Sequence, residues 1–104
     1  MLTIHKATDG ENVTFALEGR FDMTTAPQVE KELEGVLKHA RTLTFDLRDL
    51  DSINTTGLRV LLTAQKQMNQ KGRMHIINVG EAVMQEMELR GLADIFNISD
   101  TEPE

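Results

Sequence analysis

Asp51-Ser-Ile-Asn-Thr-Thr-Gly-Leu-Arg-Val-Leu-Leu62 decides the fold, because it joins two different periodicities. Before it, Leu43-Thr-Phe-Asp-Leu47 alternates apolar and polar residues, which predicts a strand with Leu43, Phe45 and Leu47 on one side. After it, Gly57, Val60, Leu61, Ala64 and Met68 recur at the spacing of a core-facing helix face, and the helical pattern runs to about Lys71. The hydroxyls of Thr55 and Thr56 therefore stand at a strand-to-helix junction. Backbone N–H groups lack internal partners there, and the helix dipole favours negative charge. These residue types serve a helix cap, from Asn54 or Thr55, with Thr56 in the first turn and Gly57 for close packing. They also suit a phosphate acceptor, since a phosphate at a helix N-terminus is stabilised rather than repelled. A cap needs one hydroxyl or amide, whereas Asn-Thr-Thr offers three.

Working outward, Leu2-Thr-Ile-His-Lys6 and Val13-Thr-Phe-Ala-Leu17 read as half-buried strands joined by a hairpin turn at Asp9-Gly10. Gly19 to Met23 leads into a helix start. Thr25-Ala-Pro-Gln28 has the form of a capping box, with proline in the first turn, where its missing N–H does no harm. Ala26, Val29, Leu33, Val36, Leu37 and Ala40 follow at helical spacing, and Glu30, Lys31, Glu32, Glu34 and Lys38 fill a wet face. Gly72 is placed to be a left-handed stop for the second helix. Met74 to Val79 predicts a strand covered on both faces. Glu81 to Arg90 predicts a short helix ended by Gly91, and Ile95 to Ile98 a last strand. The order β-β-α-β-α-β-α-β implies an α/β fold. Its sheet is mixed and mainly parallel, with right-handed crossovers, helices packed on it and an N-terminal antiparallel hairpin. Residues 1–98 are expected to form a single domain and 99–104 a frayed acidic tail.

At 104 residues the chain holds one core, and a chain of this size buries roughly 65% of its unfolded surface without staples. The absence of cysteine removes disulfides, thiolate metal sites and thiol catalysis. No apolar stretch approaches the ~20 residues of a membrane span, and no signal-peptide pattern opens the chain. A cytoplasmic protein without membrane insertion is expected. A net charge of −6 argues against direct nucleic-acid binding, which needs a phosphate-neutralising basic surface. The charge is uneven. Ser52 to Gly80 contains no Asp or Glu but does contain Arg59, Lys66, Lys71 and Arg73. This basic element is either a solvated face or a dock for an acidic partner or anion.

The chemistry of catalysis is missing. His5, His39 and His75 fall in separate elements without metal-ligand spacing, and no serine sits in a Gly-x-Ser-x-Gly elbow. His75, on a buried-strand pattern, reads as a structural side chain. A phosphocarrier built on His5 or His75 is the only concrete enzymatic form. Asp46, Asp49 and Asp51 read as turn chemistry rather than as a metal site. Gly57 stands alone rather than in a phosphate loop, and the four phenylalanines lie on apolar faces, which offers no base-stacking platform. Neither a cofactor nor a metal is expected.

Phe45-Asp-Leu47, Leu50, Ile53 and Asn54-Thr-Thr-Gly-Leu-Arg-Val-Leu-Leu62 resemble the signature of STAS domains (sulphate transporter and anti-sigma factor antagonist). That signature is an apolar strand ending in Asp-Leu, a short turn, Asp-Ser-Ser/Thr-Gly-Leu and an apolar helix. Leu17-Glu-Gly-Arg-Phe-Asp22 is similar to the family's Gly-x-Leu/Ile-Asp after the second strand. Leu89 to Phe96 is similar to its closing Leu-x-Gly/Leu-Leu-x-x-Ile/Leu-Phe. The resemblance spans essentially the whole chain and implies an anti-sigma factor antagonist. Such a module is controlled by phosphorylation of the hydroxyl residue before the glycine, Thr56 here, with Thr55 as the alternative. Its implied partner is an anti-sigma factor serine/threonine kinase, whose sequestration releases a sigma factor. Asn54, Thr55, Gly57, Leu58, Arg59, Arg20, Phe21, Asp22 and Met23 are the implied partner-binding residues, on a monomer or weak dimer. Asn54 replaces the usual Asp, and Thr55-Thr56 the usual Ser-Ser. STAS domains also serve transporters and lipid-export ABC systems, and in that alternative an apolar patch at Leu58 and Leu62 would dock on an ATPase.

Overall fold

The computed structural model describes residues 1–99. β1 (Leu2–Asp9) and β2 (Asn12–Phe21) form the antiparallel hairpin, followed by α1 (Ala26–Val36), β3 (Thr42–Ile53), α2 (Thr55–Met68), β4 (Arg73–Ile77), α3 (Glu81–Leu89) and β5 (Ile98–Ser99). The sheet order is β1-β2-β3-β4-β5. The pairings β2–β3, β3–β4 and β4–β5 are parallel, in the element order that the sequence predicts.

Sequential order and right-handed crossovers put successive helices on the same face of a parallel sheet. The burial follows that rule. Val13, Phe15, Leu17, Leu43, Phe45, Met74 and Ile76 alternate onto one face and share a core with Val29 and Leu33 of α1, Leu61 and Ala64 of α2, and Val83 and Met87 of α3. Phe15 and Phe45 meet across the β2–β3 seam with ring centroids 5.7 Å apart. Each fully buried side chain of this size contributes roughly 1.5–3 kcal/mol. On the other face Thr3, His5 and Ala7 are exposed, and Thr14 and Ala16 half-buried. At β4 both faces are closed, because His75 and Ile77 are buried as well.

Several boundaries differ from the sequence reading. β3 does not stop at Leu47; it stays paired with β2 as far as Phe21↔Ile53, through register shifts that absorb the extra residues. Asp46, Asp49 and Asp51 therefore all lie on a strand, and among the described residues only Asp46 makes a turn-like hydrogen bond. Its Oδ1 accepts from the Arg48 amide (3.1 Å) and from Asn78 Nδ2 (3.0 Å). Gly72 does not take a left-handed conformation. Glycine is needed because a Cβ there would run into the carbonyl of Arg41, which accepts from Arg73 N. β4 ends at Ile77, and the residue after it, Asn78, is left-handed, with φ 57°. Ile95 to Asn97 is not strand. Phe96 turns into the core, and pairing begins only at Ile98. Ser99, assigned to the tail, pairs with Ile77; the rest of that expectation, 100–104, lies outside the described residues.

Candidate functional site

Parallel strands deliver the N-termini of all three helices to one end of the sheet, where ligand sites of open α/β sheets form. At α2, Asn54 is the cap. Its backbone is extended (φ −114°, ψ −172°), and its Oδ1 accepts from Thr56 N (3.0 Å) and Gly57 N (3.2 Å). One amide oxygen thus satisfies two of the orphan donors. Thr55 is exposed and Thr56 half-buried, and neither hydroxyl makes a hydrogen bond among the described residues. The cap and the hydroxyls are separate parts.

The helix end is held tightly from below. Asn54 N donates to the carbonyl of Phe21 (3.1 Å). A Cβ on Gly57 would lie 2.7 Å from that same oxygen and 2.8 Å from Ile53 Cγ1. Phe21, Gly57 and Leu58 are buried, so they place the surface residues rather than form surface themselves. Burial of Leu58 also removes the apolar patch expected of it with Leu62, which is itself half-buried. Arg20, Met23, Asn54, Thr55 and Arg59 are exposed.

The loop between β2 and α1 is built on Asp22. Its Oδ1 accepts from Thr24 Oγ1 (2.6 Å), Thr24 N (2.9 Å) and Thr25 N (3.2 Å). The Thr24 hydroxyl, more than the backbone amides, holds the Asp22 carboxyl below its ordinary range. Thr25 is not the capping-box residue that its sequence predicts. Its backbone is already helical (ψ −17°), and its hydroxyl turns inward, accepting from Asp22 N (2.9 Å) and donating to Arg20 O (2.8 Å). Gln28 reaches back to Leu2 O instead of to the cap (3.3 Å).

Thr56 also lines a groove of about 1050 Å³ between α1 and α2. Arg59, Val60, Thr63, Ala64 and Gln67 continue its α2 wall; Glu30, Lys31, Leu33 and Glu34 of α1, with Leu37 and Lys38 just beyond it, form the facing wall. In the sequence those α1 charges read only as a wet face. Their shared spacing with Leu33 and Leu37 was the signal that they border a cleft. Arg59 makes no ion pair among the described residues, unlike Lys6, Arg41 and Arg90, which bridge Glu32, Glu11 and Glu86.

His75 is placed as a structural residue, away from these groups. Its Nδ1 lies 2.8 Å from Asn97 Nδ2, and burial, with Arg73 nearby, holds its pKa below the usual value. No group of three or more acidic, histidine or cysteine side chains among the described residues is arranged to hold a metal. Among the described residues no helix is long and apolar enough to cross a membrane.

Residues 3–104 match the STAS domain family. The chain belongs to that family. It is 29% identical over 101 residues to the anti-sigma-B factor antagonist of Listeria monocytogenes, covering 95% of this chain and 89% of that protein. It is 33% identical over 87 residues to BtrV of Bordetella bronchiseptica, covering 82% and 75%. Among solved structures, an anti-sigma factor antagonist from Mycobacterium paratuberculosis superposes with a TM-score of 0.88 at 22% identity, over 97% of this chain and 87% of that one. The STAS fold therefore holds here with Asn54 at the cap.

Proposed function

We propose that this STAS domain is an anti-sigma factor antagonist that binds an anti-sigma factor kinase and is switched off by phosphorylation of Thr56. The observation that carries this reading is the division of labour at the α2 N-terminus. Asn54 supplies the cap, so Thr56 presents a hydroxyl that the fold does not use. In the switch, Thr56 Oγ1 attacks the γ-phosphorus of ATP held by the kinase. The hydroxyl proton passes to a base on the kinase, an O–P bond forms, and ADP leaves. The product carries about −1.5 to −2 charges and three acceptor oxygens. A helix N-terminus returns only ~0.3–1 kcal/mol to that charge, while an unpaired dianion in a fitted interface costs several kcal/mol. Phosphorylation therefore weakens the complex without unfolding the domain.

Unmodified, the exposed Arg20, Met23, Asn54, Thr55 and Arg59 form the docking face, with Asp22 shaping the loop that carries Met23. The test is the affinity of the cognate kinase for wild type, Thr56→Ala and Thr56→Asp by calorimetry. Thr56→Ala keeps wild-type affinity, and Thr56→Asp loses tenfold or more, about 1.4 kcal/mol. Equal affinity for all three would sink the switch.

A further inference from the structure

We infer that Arg59 is an internal clamp for a phosphate on Thr56. In the phosphorylated state its guanidinium would pair in cis with the phosphoryl group and be withdrawn from the docking face. The inference rests on the Thr56 reading above and adds how the modification acts on its surroundings.

Three observations converge. Arg59 follows Thr56 by three residues on α2, the spacing at which helical side chains are neighbours. Long side chains in a helix lean toward its N-terminus, so Arg59 leans back over the turn that carries Thr56. Both residues line the same groove, whereas Thr55 does not. Finally, Arg59 has no ion-pair partner among the described residues, and no Asp or Glu lies on its own helix. Its charge is uncommitted until an anion arrives.

The charges facing the groove make Arg59 the natural partner. From the facing wall come Glu30 and Glu34, which repel a phosphate, and Lys31 and Lys38, which lie across the groove rather than one turn along the helix from Thr56. In the β2–α1 loop the Asp22 carboxylate is already occupied by Thr24 and Thr25. Asn54 is neutral, so the cap neither repels the phosphate nor competes for Arg59. The guanidinium matches a phosphate bidentately. Unmodified, the groove residues carry one net positive charge; a phosphoryl group of about −1.5 to −2 inverts it. A partner that uses Arg59 thus loses a cation as well as meeting an anion.

The experiment installs phosphothreonine at position 56 in the full chain by genetic encoding and follows its ³¹P resonance against pH. Pairing with Arg59 favours the dianion, so the second phosphate pKa should rise on Arg59→Gln by roughly half a unit or more. Lys66→Gln, on the same helix but outside the groove, should leave it unchanged, and added salt should narrow the difference. If the phosphate titrates alike in wild type and Arg59→Gln, the clamp is overturned. Because the readout needs no kinase, it stands apart from the switch itself, which fails only if Thr56→Asp keeps full kinase affinity.

Discussion

Thr24-Thr25 and Thr55-Thr56 are the same dipeptide in the same kind of place, the N-terminal end of a helix, and the fold uses them in opposite ways. At α1 both hydroxyls are consumed. Thr24 donates to Asp22, and Thr25, only 4% exposed, bridges Asp22 N and Arg20 O. At α2 a neighbouring amide, Asn54, takes both cap bonds, and neither threonine hydroxyl has a partner among the described residues. A threonine that holds a loop together cannot be modified without loosening it. A threonine relieved of structural work can carry a charge with little effect on the fold, and this is the physical requirement for a reversible switch.

The largest test strikes the floor that both regions share. Gly57→Ala would push a methyl group against Phe21 O and Ile53 Cγ1, at the point where the β2–α1 loop and the α2 end touch. Overpacking of this kind costs about 1–3 kcal/mol, and here the obstruction is partly backbone, so the upper end is expected in urea unfolding. A loss below about 0.5 kcal/mol would mean that the α2 end is loosely seated.

Thr25→Val comes next. It keeps the side-chain shape but leaves the Asp22 amide and the Arg20 carbonyl without their buried partner, which costs about 1–3 kcal/mol. Asp22 sharpens the same contrast through pH. Its folded pKa is depressed, so its contribution is present above the unfolded value of about 3.9 and is lost as pH falls through the folded value. The Thr24 and Thr25 amide resonances should therefore shift with a midpoint below that of an unfolded aspartate, and Asp22→Asn should abolish the step. A midpoint at or above about 3.9 would show that the Thr24 and Thr25 hydrogen bonds do not select the ionised carboxylate.

The difference between the two threonine pairs was only half legible in the sequence. Periodicity placed every helix and strand in order, because the Val29–Leu33 and Val60–Leu61–Ala64 stripes and the alternation of β2 and β3 are local properties that the core obeys. The form of a capping box at Thr25 misleads because a competing local turn wins. Asp22 and Thr25 close a turn that makes the Thr25 backbone helical before a cap can form. The extension of β3 to Ile53 depends on β2 running on to Phe21, a pairing between distant segments. Asn54 and Thr56 were visible as candidates, whereas the cleft that joins Thr56 to Glu30 and Glu34 exists only after α1 and α2 pack.

The smallest expected effect is the most informative. Thr56→Val removes a hydroxyl with no partner among the described residues, at a half-buried position where the β-branched shape is preserved. Helix propensities of Thr and Val are nearly equal, so the change in stability should lie within about 0.5 kcal/mol. Asn54→Ala on the same helix should cost about 1 kcal/mol, because it frees the Thr56 and Gly57 amides together. Measured side by side, the two variants ask whether capping and hydroxyl presentation are separable. If Thr56→Val costs as much as Asn54→Ala, Thr56 is a structural residue like Thr25. Its phosphorylation would then loosen the helix end rather than only recharge the surface above it.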